Sequence, residues 1–129
     1  MLGVDHGTKR IGLAISDETG TIAQSIGYVA KLAEVLKLAT ERGVAKFVVG
    51  VPRRLDGTSS EQTERTLKFI EALKSATTLP VTGWDERLTT AQAQRVLIEG
   101  NVRRKDRREK IDQLAAQLML HSYLDAQNL

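Results

Sequence analysis

The residues of this chain best suited to chemistry are four acidic side chains at three positions far apart in sequence. They are Asp5, the adjacent pair Asp85 and Glu86, and Asp112. Carboxylates are the ligands that Mg²⁺ and Mn²⁺ prefer, and carboxylates that meet in one cleft repel each other unless a cation lies between them. Two such ions about 3.5–4 Å apart would activate water and stabilise a leaving oxygen in phosphodiester cleavage. The alternative for each acid is an ordinary helix cap or surface salt bridge.

Composition removes several other chemistries. The 129 residues include no cysteine, which excludes disulfides, thiolate nucleophiles and thiolate metal sites. The two histidines, His6 and His121, are too few for a multi-histidine zinc site. With 41% hydrophobic and 27% charged residues, the chain is typical of one globular domain over residues 1–129. No apolar run suggests a membrane span or a signal peptide, so we expect a cytoplasmic protein without a membrane partner.

The elements that must position the acids begin with three short strands. Alternating apolar residues predict strands over Met1–Asp5, Ile11–Ser16 and Ala23–Val29, joined by short turns as in an antiparallel meander. Helical spacing follows over Lys31–Arg42. The continuous apolar run Lys46–Val51 is typical of a strand buried on both faces.

The second half of the chain alternates helices with one more strand. The predicted elements are a helix from the capping pairs Thr58/Glu61 and Ser59/Gln62 to about Ser75, a strand over Pro80–Trp84, a helix from Thr89 to Gly100, and a last helix over Lys110–Leu124. The order predicts an α/β fold of three layers. Its mixed five-stranded sheet has three antiparallel strands continued by two parallel ones, with helices on the flanks.

This topology predicts that the acids converge. The first, fourth and fifth strands become neighbours, and ligands in such sheets bind outside the carboxyl ends of the parallel strands. Asp5 ends the first strand, and Asp85 with Glu86 ends the fifth. Asp112 falls in the first turn of the predicted last helix, where the helix dipole favours a carboxylate. We therefore expect the three acidic positions to share one cleft.

Positive charge is concentrated in one segment, which indicates a polyanionic partner. Residues 103–110 hold six basic and two acidic side chains, whereas the whole chain has a net charge of only +3. Because this segment lacks apolar periodicity, it is predicted to be a mobile loop that binds nucleic acid. The candidate nucleic-acid contacts are Lys9, Arg10, Arg87, Arg103, Arg104, Lys105, Arg107 and Arg108. For Lys9 and Arg10 a solvated turn remains the alternative, and for Arg87 a structural ion pair.

Four sequence blocks, spread over nearly the whole chain, resemble those of the YqgF (RuvX) family. The blocks are Gly3–Gly12, Val49–Pro52 with Asp56–Gly57, Asp85–Thr90 and Ile111–Ala116. This family consists of nucleases related to Holliday-junction resolvases. The resemblance implies an RNase H-like fold, a Mg²⁺- or Mn²⁺-dependent nuclease, and 5′-end processing of precursor 16S rRNA. It also implies that Asp5, Glu86 and Asp112 are the catalytic, metal-binding acids.

Other functions remain open at this point. The same resemblance allows cleavage of four-way (branched) DNA junctions, for which a homodimer would cut two symmetric strands. A nucleic-acid-binding module with a degenerate site would bind without cleaving. The segment Asp5-x-Gly7-Thr8 also resembles a phosphate loop of actin-like ATPases and sugar kinases, but those proteins need two such domains.

Overall fold

Five strands form one mixed sheet in this computed structural model. The structure describes residues 1–54, 56–87 and 104–127, and for residues 104–113 it describes only the backbone. The strands are β1 (Leu2–His6), β2 (Ile11–Ser16), β3 (Ala23–Val29), β4 (Phe47–Val51) and β5 (Val81–Asp85), and the described helices are α1 (Leu32–Glu41), α2 (Glu61–Ala76) and α3 (Arg104–Gln127). The strand order is β3-β2-β1-β4-β5.

This topology confirms the predicted fold class. The strands β1, β2 and β3 pair antiparallel, and β4 and β5 continue the sheet in parallel with β1. The carboxyl ends of β1, β4 and β5 therefore lie at the same edge. The predicted helix from Thr89 to Gly100 lies outside the described residues. No helix in the described ranges is both long and apolar enough to cross a membrane.

Strand alternation gives the sheet two unlike faces. The bulky face, toward α1 and α2, is covered by branched and aromatic side chains, namely Leu2, Val4, Leu13, Phe47 and Val49. The small-residue face, toward α3, carries Gly3, Asp5, Gly12, Ala14 and Gly50. A methyl group added at Gly3 would lie 2.9 Å from Cβ of Leu120, so the missing side chain lets α3 pack directly on β1.

The prediction of a loop over the basic segment is wrong, because α3 already begins at Arg104. Arginine, lysine and glutamate are good helix formers, so this segment can be helical without an apolar stripe. The helix start at Lys110 is therefore also wrong. Asp112 lies in the third turn of α3, so the favourable interaction expected at a helix N-terminus does not apply to it.

The start of α2 also differs from the prediction. Ser60 is the N-cap: its side chain accepts from the backbone N–H of Thr63, and the Thr63 hydroxyl accepts from the backbone N–H of Ser60. The pairs Thr58/Glu61 and Ser59/Gln62 are therefore not the capping box. A threonine can take the reciprocal role of glutamate or glutamine here, and its hydroxyl also donates to the carbonyl of Pro52.

Candidate active site

Two of the predicted acids, Asp5 and Glu86, meet on the small-residue face. Asp5 and Gly50 lie one residue beyond the paired Val4 and Val49 of β1 and β4. Glu86 follows β5, and its backbone N–H donates to the carbonyl of Val51 at 3.1 Å. A Cβ placed on Gly50 would lie 2.8 Å from Cγ of Glu86 and closer still to its carboxylate. The Glu86 side chain thus crosses the bare backbone of Gly50 to reach Asp5.

The carboxyl groups of Asp5 and Glu86 are too close together for both to carry a negative charge at neutral pH. Burial raises the pKa of Glu86 to about 9, helped by the negative charge of Asp5, by a hydrogen bond with Asp5 and by the charge of Asp85. Protonated Glu86 therefore donates to the Asp5 carboxylate at neutral pH. The proton between the two carboxyl groups lies where a bound cation would lie.

The donor atoms at this position fit a hard divalent cation. Both groups are half-buried and offer only oxygen ligands, which suits Mg²⁺ or Mn²⁺ and not a soft metal. The ring of His6 is not part of the set, because it stacks on Phe69 with ring centroids 4.6 Å apart. Among the described side chains no three acidic or histidine residues form a metal-binding group. Asp112, the third predicted ligand, has only its backbone described.

Asp85 and Arg87, although adjacent to Glu86, form a separate ion pair. Nη2 of Arg87 lies 2.7 Å from Oδ2 of Asp85, and the backbone N–H of Arg87 donates to Oδ1 at 2.9 Å. The hydrogen bond from the Arg87 side chain is also the main reason that the pKa of Asp85 is lowered. The guanidinium reaches the loop at Gly57, where a Cβ would lie 3.1 Å from Nη1. In this structure Arg87 therefore binds protein, and a nucleic-acid role for it stays a prediction.

The turn between β1 and β2 brings Lys9 and Arg10 to the same cleft as Asp5. The backbone N–H of Gly7 donates to the carbonyl of Arg10 at 3.0 Å, which closes the turn. A cleft of about 490 Å³ is lined by Asp5, Gly7, Thr8, Lys9 and Arg10. The structure thus places two cationic side chains beside one of the paired carboxylates. The five basic candidates from Arg103 to Arg108 have no described side chains, and Arg103 lies outside the described residues.

Sequence reasoning gave Gly50, Gly12 and Tyr28 no part in the candidate site. Gly50 interrupts an otherwise continuous apolar strand, and such a glycine indicates close approach of another group. Gly12 lies between Asp5 and Tyr28 across three strands. Nothing in the sequence pattern indicates that Tyr28 faces this site.

The sheet order β3-β2-β1-β4-β5, with two acidic side chains at one edge, defines a mixed α/β domain. A fowlpox virus resolvase, solved with its substrate Holliday junction DNA, shares this fold with a TM-score of 0.50 over 98% of this chain and 99% of its own. Its sequence identity is 13%, so the likeness concerns the fold alone. The RNase H-like arrangement expected from the resemblance is therefore confirmed.

The sequence comparison is more specific. The model of the RuvX family, described as Holliday junction resolvase, matches residues 1–126, and the chain belongs to this family. A protein of Thermoanaerobacter pseudethanolicus named "Putative pre-16S rRNA nuclease" is 42% identical over 98% of this chain and 96% of its own length. A protein of the same name from Symbiobacterium thermophilum is 44% identical over 96% of this chain and 90% of its length.

Proposed function

We propose that this protein is a divalent-metal-dependent nuclease that processes the 5′ end of precursor 16S rRNA. The observation that carries the proposal is the pair Asp5 and Glu86 over Gly50, two carboxylates that require a positive species between them. Membership of the RuvX family and the names of its relatives support nucleic acid as the substrate.

The candidate residues would have different roles in this reaction. Asp5 and Glu86 would hold Mg²⁺ or Mn²⁺, with Asp112 as the third ligand implied by the family resemblance. When bound, the ion would supply an activated water molecule and neutralise charge on the phosphate. Glu86 would hold the ion in its ionised form, since a ligating carboxylate must be deprotonated. Lys9 and Arg10 attract the phosphate backbone to the cleft.

Cleavage of four-way DNA junctions is the second candidate. The family description and the viral resolvase favour it, although the viral protein shares only the fold. A symmetric junction needs two cuts, so this activity would require a homodimer. A monomer in analytical ultracentrifugation, both with and without junction DNA, would count against it.

The deciding experiment compares a labelled precursor-rRNA 5′ end with a four-way DNA junction in the presence of Mn²⁺. We expect the wild type to cleave the RNA and Asp5→Asn to lose about 100-fold or more in rate, since a ligand to the ion is removed. Asp17→Asn is the matched control, because Asp17 binds only its own turn among the described residues. Undiminished cleavage by Asp5→Asn would overturn the mechanism.

A second measurement tests the metal site without cleavage. Mg²⁺ or Mn²⁺ should raise the melting temperature of the wild type, because an ion that binds only the folded state stabilises it. Asp5→Asn should reduce this shift, and Asp17→Asn should leave it intact. A melting temperature that does not respond to either ion would contradict a shared site. RNA binding without cleavage would instead favour the binding-module alternative.

A further inference from the structure

Tyr28 is an exposed aromatic residue that shares a row with the candidate site. Asp5 pairs with Gly12 across β1 and β2, and Gly12 pairs with Tyr28 across β2 and β3. A Cβ on Gly12 would lie 3.5 Å from Cε1 of Tyr28 and 3.7 Å from Cβ of Asp5, so both side chains flank it on the small-residue face. Neighbouring strands are about 4.8 Å apart, which places the backbones of Tyr28 and Asp5 roughly 10 Å apart.

A bulge in β3 gives Tyr28 this orientation. Leu13 pairs with Gly27 and Ala14 with Ser25, so Ile26 is an extra residue in β3. Gly27 has a φ of 104°, a backbone conformation that glycine adopts easily. Without the extra residue, strand alternation would direct Tyr28 to the bulky face. The sheet is thus built so that this side chain, which is 39% exposed, lies on the same side as Asp5.

The Tyr28 ring holds the guanidinium of Arg10. Cζ of Arg10 lies 4.0 Å from the ring centroid, within the range of a cation–π contact. The backbone of Arg10 is held as well, because its carbonyl oxygen accepts from the backbone N–H of Gly7 at 3.0 Å. A Cβ on Gly7 would lie 2.7 Å from that oxygen, so this close approach requires glycine. Neither of the two ion pairs among the described side chains involves Arg10. A guanidinium stacked by its face keeps its N–H edge available for a phosphate.

We propose that Tyr28 is a positioning residue that pre-orders Arg10 as a binding subsite for a backbone phosphate next to the one that is cleaved. The location beside the cleaved phosphate rests on the proposed nuclease function, whereas the phosphate contact itself does not. A free arginine loses side-chain entropy when it binds, and the ring has already removed part of that freedom. Tyr28 therefore strengthens nucleic-acid binding through Arg10 and without contacting a base.

The test is a double-mutant cycle on binding of a labelled single-stranded RNA in EDTA, followed by fluorescence anisotropy at several salt concentrations. Arg10→Ala should reduce the slope of log affinity against log salt by about 0.7, the value for one phosphate on a single strand. Tyr28→Leu should weaken binding about two- to five-fold, the strength of an exposed cation–π contact. Tyr28→Phe keeps the ring and should therefore keep the coupling to Arg10.

The double variant decides whether Tyr28 acts through Arg10. We expect Tyr28→Leu to have no further effect once Arg10→Ala is present. A further loss in that background would mean that Tyr28 stacks on a base, and it would overturn the proposal. Arg10→Lys, which keeps the charge, should weaken binding and leave the salt slope unchanged. Lys37→Ala on α1 is the control for charge alone at an exposed site elsewhere.

Failure of this inference can be told apart from failure of the nuclease function. A wild type that binds and shows the coupling but cleaves no RNA would refute the function and keep the subsite. A wild type that cleaves, with KM unchanged in Tyr28→Leu and Arg10→Ala, would refute the subsite and keep the function. No binding by the wild type at any salt concentration would refute both.

Discussion

The two faces of the sheet are made of different side chains and serve different purposes. On the bulky face, residues such as Phe47 and Leu2 are fully buried against α1 and α2. On the small-residue face, Gly3, Gly12 and Gly50 leave space that α3 and two carboxylates occupy. Apolar burial supplies stability at about 25 cal/mol per Å², so the bulky face stabilises the strands that the other face uses to hold charge.

This difference teaches that strand alternation separates the main core from the candidate site within single strands, while α3 adds a second apolar core around Val48 and Met119 on the small-residue face. Val49 and Gly50 are adjacent in β4, yet Val49 is part of the core and Gly50 lies beneath Glu86. Because successive residues point to opposite faces, a change at one position should leave the other face nearly intact. Two variants test this separation and two more test the charges at the sheet edge and in the turn after β2, taken from the largest expected effect to the smallest.

Phe47→Ala should cost the most stability. Phe47 is fully buried on the bulky face, and removal of a buried phenyl ring costs about 3–5 kcal/mol. Urea unfolding measures the loss, for which Phe47→Leu is the control with a smaller expected cost. Cleavage by the fraction that remains folded should be unchanged, and a loss of activity without a loss of stability would contradict the separation of the faces.

Gly50→Ala should lower activity and leave stability nearly unchanged, which is the reverse of the effect expected for Phe47→Ala. The added methyl group overlaps the flexible end of Glu86, which can move away at little cost to the fold, so we expect activity to fall about 10- to 100-fold with unfolding free energy nearly unchanged. Gly12→Ala on the same face is the control, because its methyl group meets neighbours only at 3.5–3.7 Å. Equal activity in the two variants would show that Glu86 does not need the space above Gly50.

Glu86→Gln should change the pH dependence of stability in metal-free protein. The folded state raises the pKa of Glu86 from 4.5 to about 9, so the folded protein binds the proton more tightly and wild-type stability falls as pH rises through this range. Glutamine cannot ionise, so the variant should lack this loss, which at about 1.4 kcal/mol per pH unit amounts to a few kcal/mol between pH 5 and pH 8. Urea unfolding in EDTA at pH 5 and pH 8 tests the sign. A wild type with the same pH trend as the variant would refute the shared proton.

Asp17→Asn should have the smallest effect and the opposite sign with pH. Hydrogen bonds from the Thr19 hydroxyl and the backbone of Ile22 and Thr21 lower the pKa of this exposed carboxylate to about 2. Its contribution is therefore present above about pH 4 and is lost as pH falls toward 2. The variant should be slightly less stable than the wild type at pH 7 and equal to it at pH 2. A difference that persists at pH 2 would show that the carboxylate charge is not the cause.

The sequence predicted those parts of the fold and site that depend on local pattern. Alternation and strand ends were enough to place Asp5 and Glu86 at one edge of the sheet. The pattern did not predict the helix from Arg104, because the absence of an apolar stripe is compatible with both a loop and a helix. Asp112 as the third ligand stays a prediction.

Two features of the site depend on tertiary contacts that the spacing of residues along the sequence does not reveal. The role of Gly50 follows from the path of the Glu86 side chain, which begins on another strand. The orientation of Tyr28 follows from the bulge at Ile26, and one extra residue reverses every later side chain of a strand. Alternation alone would have placed Tyr28 on the wrong face.

The strand order also has a consequence for the protein during its own synthesis. Asp5 belongs to a hairpin that can form as soon as β1 and β2 have left the ribosome, since the two strands are joined by a short turn. Glu86 follows β5, which joins the sheet only through β4. Chains fold from the N-terminus during translation, so a nascent chain that ends before β5 carries only one of the two paired carboxylates. If this protein cleaves RNA, as proposed, it would therefore be inactive while its chain is still attached to the ribosome.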